Sequence, residues 1–291
     1  MHVGAHVSIA GGIQNAPERA HDLGCEVMQI FTLPPQGGKI PELTPEIIKE
    51  FTMRVMRYAI RETYIHTPYY INLASASNRI RYGSSKAIRE ELERGNLIGA
   101  KYVMTHLGSA KELGQKESIE KVAHMLQKTL EGYSGETKLI LENSAGAGEI
   151  IGDDLKELGE IISKTNSPAI AGICLDTQHS FASGYDWRDF EKTLQRIDEE
   201  IGLEKIKLIH CNDSQTDCGS NKDRHEHIGQ GKIGLEAFQN IVNFAKKNNI
   251  DLICETESPE NKNDIQTLKK MIAAQRYNLS SRTRPWRRSG I

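Results

Sequence analysis

Short runs of mostly apolar, often β-branched residues recur along the chain, at 2–7, 27–31, 63–66, 102–106, 138–142, 171–176, 206–210 and 251–255. They start 25 to 45 residues apart. The stretches between them carry a helical period and many Lys/Glu pairs, as at 44–58 and 84–97. The first of these opens Thr44-Pro45-Glu46, and a proline in the first turn supports a helix start there. Eight strands alternating with helices predict an α/β fold with a parallel sheet and right-handed crossovers, and eight is the number that closes a (β/α)8 TIM barrel. An open, doubly wound sheet is the alternative, because periodicity does not report closure. No internal repeat and no linker rich in Pro, Gly or Ser divides the chain. The expected organisation is one catalytic barrel over 1–278 and a basic, disordered tail over 279–291.

Composition changes this picture little. With 38% hydrophobic and 26% charged residues in 291, the chain is an ordinary globular one able to bury a core. No apolar run approaches the roughly 18 residues of a membrane span, and the start lacks the features of a signal peptide. A cytoplasmic protein without a membrane partner is expected. The five cysteines form no CxxC pair and are odd in number, which argues for reduced, structural thiols. A net charge of −2 gives no global reason to bind nucleic acid. Affinity for a polyanion must come from a local patch or from bound metal.

The ends of the runs carry the chemistry. His6, His66, His106, Glu142, Asp176, His210 and Glu255 each stand at or near the last residue of a run, and only the second, ending Phe31-Thr32, lacks such a group. One such side chain is an ordinary transition from a buried strand to the surface; seven in eight strands are not. In a barrel these ends converge on one mouth. Crowded there without cations, they would perturb one another's protonation at a cost of several kcal/mol.

Two loop segments join the set: His179, three residues after Asp176, and Asp223-Arg224-His225-Glu226-His227 before the last strand. Asp223, His225 and His227 alternate, so in extended backbone they share a face and a neighbouring pair could clasp one metal. A charged, solvated loop is the competing reading. The candidate ligands are His66, His106, Glu142, Asp176, His179, His210, Asp223, His225 and Glu255, with His6 and His227 as spares. Catalytic zinc takes three protein ligands and structural zinc four, so nine ligands with a bridging carboxylate suit three metals. Imidazole and carboxylate donors without thiolate fit zinc or manganese. Three divalent ions against four carboxylates leave about two positive charges to attract a phosphate. Phosphodiester hydrolysis needs barrier reductions toward or beyond ~20 kcal/mol, and metals supply them by activating water and stabilising the leaving oxygen.

Several segments now carry a resemblance: Gly4-Ala5-His6-Val7-Ser8 with Gly11-Gly12, His66-Thr67-Pro68-Tyr69-Tyr70-Ile71-Asn72-Leu73, and Leu141-Glu142-Asn143-Ser144-Ala145-Gly146. Leu175-Asp176-Thr177-Gln178-His179, His210-Cys211-Asn212-Asp213, Asp223-Arg224-His225 through Gly229-Gln230-Gly231, and Glu255-Thr256 follow in order. Together they resemble endonuclease IV, the zinc-dependent abasic-site endonucleases (AP endonuclease family 2) of DNA base-excision repair, across nearly the whole chain. The resemblance implies a xylose-isomerase-like barrel holding three zinc ions, with manganese as an alternative at one site. His66, His106 and Glu142 would hold the first, Glu142, Asp176, His210 and Glu255 the second, and His179, Asp223 and His225 the third. Glu142 then bridges two ions beside an activated hydroxide and is the catalytic residue. The implied activity is cleavage of double-stranded DNA 5′ to abasic sites and trimming of blocked 3′ ends, by a monomeric deoxyribonuclease IV. Tyr69, Tyr70, His227, Arg224 and Lys39 would contact DNA, and His6 would floor the mouth.

The chain also departs from the family. Where the family usually carries a polar loop with Asn, Arg and Trp after the second strand, this chain reads Phe31-Thr32-Leu33-Pro34-Pro35-Gln36-Gly37-Gly38-Lys39. Its end, from Met271, holds Arg276, Arg282, Arg284, Arg287 and Arg288 and no acid, a pattern that fits phosphate contacts or a solvated tail. The Gly-rich run 144–152 fits close approach to a backbone or simple turns. Two rivals stand beside the nuclease: a sugar isomerase or epimerase on the same barrel, with little use for the third ligand set, and a damage-binding protein that does not cut, which has little use for any.

Overall fold

The computed structural model describes residues 1–257 and 260–282, with side chains through 274. All eight expected runs are strands of a closed parallel barrel: β1 (Val3–His6), β2 (Val27–Ile30), β3 (Thr63–His66), β4 (Tyr102–Thr105), β5 (Lys138–Glu142), β6 (Ile170–Asp176), β7 (Ile206–His210) and β10 (Asp251–Cys254). Closure runs through Val3, Gly4 and Ala5, in register with Leu252, Ile253 and Cys254, so the open-sheet alternative falls. Around the barrel lie α1 (Ala16–Leu23), α2 (Pro45–Arg57), α3 (Asn78–Ile98), α4 (Gln115–Leu130), α5 (Leu155–Thr165), α7 (Phe190–Ile201), α8 (Leu235–Asn248) and α9 (Asn261–Arg282). Two small additions serve the mouth: α6 (Thr177–Ala182), directly after β6, and the antiparallel pair β8 (Asp213–Ser214) and β9 (His225–Glu226).

The helix expected over 44–58 begins at Thr44, whose side-chain oxygen accepts the Ile47 N–H, and Pro45 follows as its first residue. The helix expected from 84 begins at Asn78 instead. Ile80 and Tyr82 in its opening turns are exposed, so those turns bury no apolar stripe for the sequence to announce. The last helix crosses the boundary drawn at 278 and reaches Arg282. The side chains of Arg276 and Arg282, and all of Arg284, Arg287 and Arg288, lie outside the described residues, and with them the tail reading. Four of the five cysteines are buried and all are free, as expected of structural thiols. Among the described residues no helix is long and apolar enough to cross a membrane.

Inside the barrel the two-residue strand period builds layers. Val27, Tyr64, Met104, Ile140, Cys174, Leu208 and Ile253, one from each of seven strands, form an apolar cluster of their own. The eighth strand contributes Gly4, paired with Val27, where a Cβ would fall 1.9 Å from the Val27 carbonyl oxygen. Two residues further along each strand stand His6, Gln29, His66, His106, Glu142, Asp176, His210 and Glu255. An apolar floor thus carries one polar ring at the C-terminal mouth. Register shifts in the β5–β6 and β6–β7 pairings help set it. Gly172, at φ 153°, lets β6 approach β7, because a Cβ there would sit 2.1 Å from the Lys205 carbonyl oxygen.

Candidate metal centre

Glu142 ends β5 fully buried at the centre of the ring. Its two oxygens face different partners: Oε2 lies 3.0 Å from His66 Nε2 and 3.4 Å from His106 Nε2, while Oε1 lies 2.8 Å from His210 Nδ1. Glu255 Oε2 is 3.1 Å and Asp176 Oδ2 3.9 Å from the same His210 nitrogen. The structure therefore brings together one group of His66, His106 and Glu142 and a second of Glu142, Asp176, His210 and Glu255, in each of which potential ligand atoms lie within 4.8 Å of one another.

The third set comes from the two additions. Asp176 caps α6 by accepting the His179 N–H at 2.7 Å, which places the His179 ring one turn beyond the strand end. The β8–β9 pair delivers His225, whose Nε2 lies 3.4 Å from His179 Nε2. Asp223 closes the arrangement, with Oδ2 3.5 Å from His179 Nε2 and Oδ1 3.4 Å from His225 Nε2. Asp176 also reaches this group, 3.9 Å from His225 Nε2, and it is Asp176, His179 and His225 that meet the 4.8 Å limit. Asp176 accordingly stands between the second and third groups, a position the sequence did not indicate. His227, the spare, joins none of the three groups and pairs through Nδ1 with the buried Asp264 at 2.8 Å. Asp264 also accepts from the Thr256 hydroxyl and the Ile228 N–H. His6 lies in the mouth beneath Phe31, their ring centroids 4.4 Å apart, but joins none of the three groups.

Hydrogen bonds to groups other than the ligand candidates fix which nitrogen three of the imidazoles turn toward those candidates. His66 Nδ1 donates to the Thr67 carbonyl at 2.6 Å, His179 Nδ1 to the Asn143 carbonyl at 3.0 Å, and His210 Nε2 to the Gln29 amide oxygen at 2.7 Å. Each of these rings then presents a bare nitrogen to carboxylate oxygens, an arrangement that needs a cation between the partners. The donor set fits divalent metal on this ground. Without one, protons take its place. Burial pushes the His179 pKa down, but Asp176 and Asp223 outweigh it and hold the ring up at about 10. Burial likewise opposes, and nearby acids overcome it to raise, His66 and His210. Glu142 and Glu255 are pushed up by burial yet held well below the usual carboxylate range by the imidazoles around them. His6 is pulled down to about 4, chiefly by burial, and is neutral.

The ring opens into a cavity of about 590 Å³. Ligand candidates form one side, and Tyr69, Ile71, Ala145, Ala147 and Ile150 the other. Gly146 and Gly148 take left-handed backbone in this second wall, so turn geometry accounts for the Gly-rich run. Tyr69 is 69% exposed, its ring 5.3 Å from Phe31. Tyr70 is exposed beside Gly37. Lys39 and Arg224 are exposed, and Arg224 donates to the Asp223 carbonyl at 2.6 Å. The departing loop is pinned from α3: buried Glu91 accepts from the Thr32 hydroxyl and the Leu33 N–H, while Arg94 donates to the Thr32 and Pro41 carbonyls, each at 2.9 Å.

A family description, the xylose isomerase-like TIM barrel, matches residues 17–275. "Probable endonuclease 4" of Natranaerobius thermophilus is 37% identical over 280 residues, covering 94% of this chain and 98% of the relative. The protein of the same name from Methanoculleus marisnigri is 38% identical over 273 residues, covering 92% of this chain and 97% of its own. The chain belongs to the endonuclease IV family. Among solved structures, endonuclease IV from Thermus thermophilus superposes with a TM-score of 0.83 at 31% identity, covering 95% of this chain and all of that one. A D-tagatose 3-epimerase-like protein superposes at 0.75 with 21% identity, a likeness of fold alone. Membership makes the chain a deoxyribonuclease of the abasic-site class, as the resemblance implied.

Sequence reading missed Gln29, Asn212 and Asp264. Asn212 donates to Asp176 Oδ2 at 2.6 Å and accepts the Glu255 N–H at 2.9 Å, which couples two ligand candidates. Gln29 had a signal available: it stands two residues beyond Val27, as every ring residue does beyond its floor residue.

Proposed function

We propose that the chain cleaves DNA on the 5′ side of abasic sites, leaving a 3′-hydroxyl, and trims blocked 3′ ends in base-excision repair, with three zinc ions at the mouth and manganese as an alternative at one site. The observation that carries this reading is the division of the Glu142 oxygens between two imidazole groups, which suits a bridging ligand. His66 and His106 with Glu142 would hold one ion, and Asp176, His210 and Glu255 with Glu142 a second. His179 and His225, with Asp223 and the nearby Asp176, would hold the third. Bound metal there supplies an acidified water and positive charge for the phosphoryl oxygens.

The chain's own residues do the rest. Tyr69, at the cavity edge, offers an aromatic face to the bases flanking a lesion, and Tyr70, beside the loop, can wedge between them. The loop lacks Arg and Trp, so opening the duplex falls to this tyrosine pair, which rests on the loop that Glu91 and Arg94 grip, the Tyr69 N–H donating to the Pro35 carbonyl at 3.1 Å. Lys39, Arg224 and His227 contact phosphates around the mouth. Asn143, Asn212 and Gln29 hold the ligand side chains in place from behind. The chain works as a monomer in the cytoplasm on double-stranded DNA.

A duplex with one synthetic abasic site tests this: the wild type should nick 5′ to the lesion, and Glu142→Gln should lose about 100-fold or more, because two ions lose their shared ligand. Intact duplex at saturating, metal-loaded enzyme, together with turnover of a ketose, would move the chain to the sugar epimerases.

A further inference from the structure

Gln29 is fully buried within the ring, and neither ligand counting nor the motifs gave it a part. Its side-chain amide makes three hydrogen bonds. The oxygen accepts from His210 Nε2 at 2.7 Å, and the nitrogen donates to Glu255 Oε1 at 2.6 Å and to His6 Nδ1 at 2.9 Å. Both amide hydrogens are therefore used. The orientation follows from Glu255, because the flipped amide would set its oxygen 2.6 Å from a carboxylate oxygen. His210 is then protonated at Nε2 and presents Nδ1 to Glu142 and Glu255. Glu255 has Oε1 tied back, so Oε2 is the oxygen that faces His210.

We infer that Gln29 is a positioning residue of the metal centre, an amide clamp that selects the His210 tautomer and the Glu255 oxygen offered to the second ion. The inference rests on the metal-centre reading above. An outer partner that fixes a ligating imidazole is commonly a carboxylate or a backbone carbonyl, and losing it costs 10–100-fold in metal affinity. Here an amide has a reason: one of its partners is a carboxylate, to which the amide nitrogen donates while the amide oxygen accepts from His210. A glutamate could do the second but not the first.

Chelator competition measures zinc affinity, and nitrogen-resolved NMR of the histidine rings reports the His210 tautomer. Gln29→Met, similar in length and without hydrogen bonds, should bind one of the ions about 10–100-fold more weakly and lose the single Nε2–H state of His210, with unchanged far-UV circular dichroism. Gln29→Glu serves if the methionine variant does not fold, and it separates the two roles: the His210 Nε2–H signal should persist while affinity for that ion still falls. Zinc affinity equal to wild type in the variants, with the His210 state unaltered, would overturn the clamp and leave the metal centre standing. A wild type that binds no zinc would overturn the metal centre and the clamp with it.

Discussion

At the scale of single residues, the mouth is organised by acids that serve two neighbours at once, and the neighbours differ from acid to acid. Glu142 is fully buried and faces the first two groups, whereas the Asp223 side chain is 55% exposed and pairs with His179 and His225. Substituting them should therefore have unequal effects. Asp223→Asn should weaken one ion by roughly 10–100-fold and leave two bound, since neither of the other groups contains it. Elemental analysis after mild chelation checks this, and loss of two or three ions from Asp223→Asn would refute the partition. Asp176 complicates the third group, because it stands close enough to His225 to substitute in part for Asp223. Residual third-ion binding in Asp223→Asn should then disappear when Asp176 is also replaced by asparagine, together with the second ion.

At the scale of elements, α3 has two duties that its sequence hides. Its apolar face packs on the barrel through Ile88 and Leu92, and the buried Glu91 and Arg94 on the same helix grip the loop after β2. Burial pushes the Glu91 pKa up to about 7, against the hydrogen bonds from Thr32 and Leu33 and the charge of Arg94, which pull it down. Unfolded, the carboxyl returns to its ordinary value of 4.5. Between these values the native state binds the extra proton, so stability from this group is present below about pH 4.5 and is lost as pH rises through about 7. Glu91→Gln has no such proton to lose. Its stability relative to wild type should rise by about 1–3 kcal/mol between pH 5 and pH 8, measured by urea unfolding of both proteins. A constant difference across that range would refute a protonated Glu91. The turn after α2 offers a smaller gain: Ala59 adopts φ 54° with a side chain that disfavours it, so Ala59→Gly should stabilise by roughly 1 kcal/mol. Sequence patterning recovered the eight strands because each buries two faces as a continuous apolar run, and it found the ring because polar residues end those runs. It could not see α6 or the β8–β9 pair, which are too short to carry a period, nor Gln29, an uncharged residue inside an apolar strand. Nothing in the sequence marks Glu91 and Arg94 as buried, since what buries them is a loop remote in sequence.

At the scale of the molecule, the barrel gathers at one end a set of charges that the fold alone does not neutralise. Glu142, Asp176, Asp223 and Glu255 face His66, His106, His179, His210 and His225 across distances that either protons or metal must bridge. Metal-free protein should therefore hold protons that loading expels. His179, held up at about 10, is protonated at pH 7 in that state, and His66 and His210 are shifted in the same direction. Zinc addition at pH 7 should release at least one proton per chain, read as a pH change in weak buffer, and uptake or no change would contradict the inward-facing imidazoles. Stability follows the same linkage. A histidine raised in the fold stabilises metal-free protein fully below its unfolded pKa of about 6.5, and that contribution disappears as pH rises through about 10. Zinc-loaded protein has no such proton to lose, and its ligands bind metal more tightly as pH rises. The drop in melting temperature on chelation should accordingly grow from pH 7 to pH 9. A drop that shrinks over that interval would mean that protons, and not metal, are the natural partners of this ring.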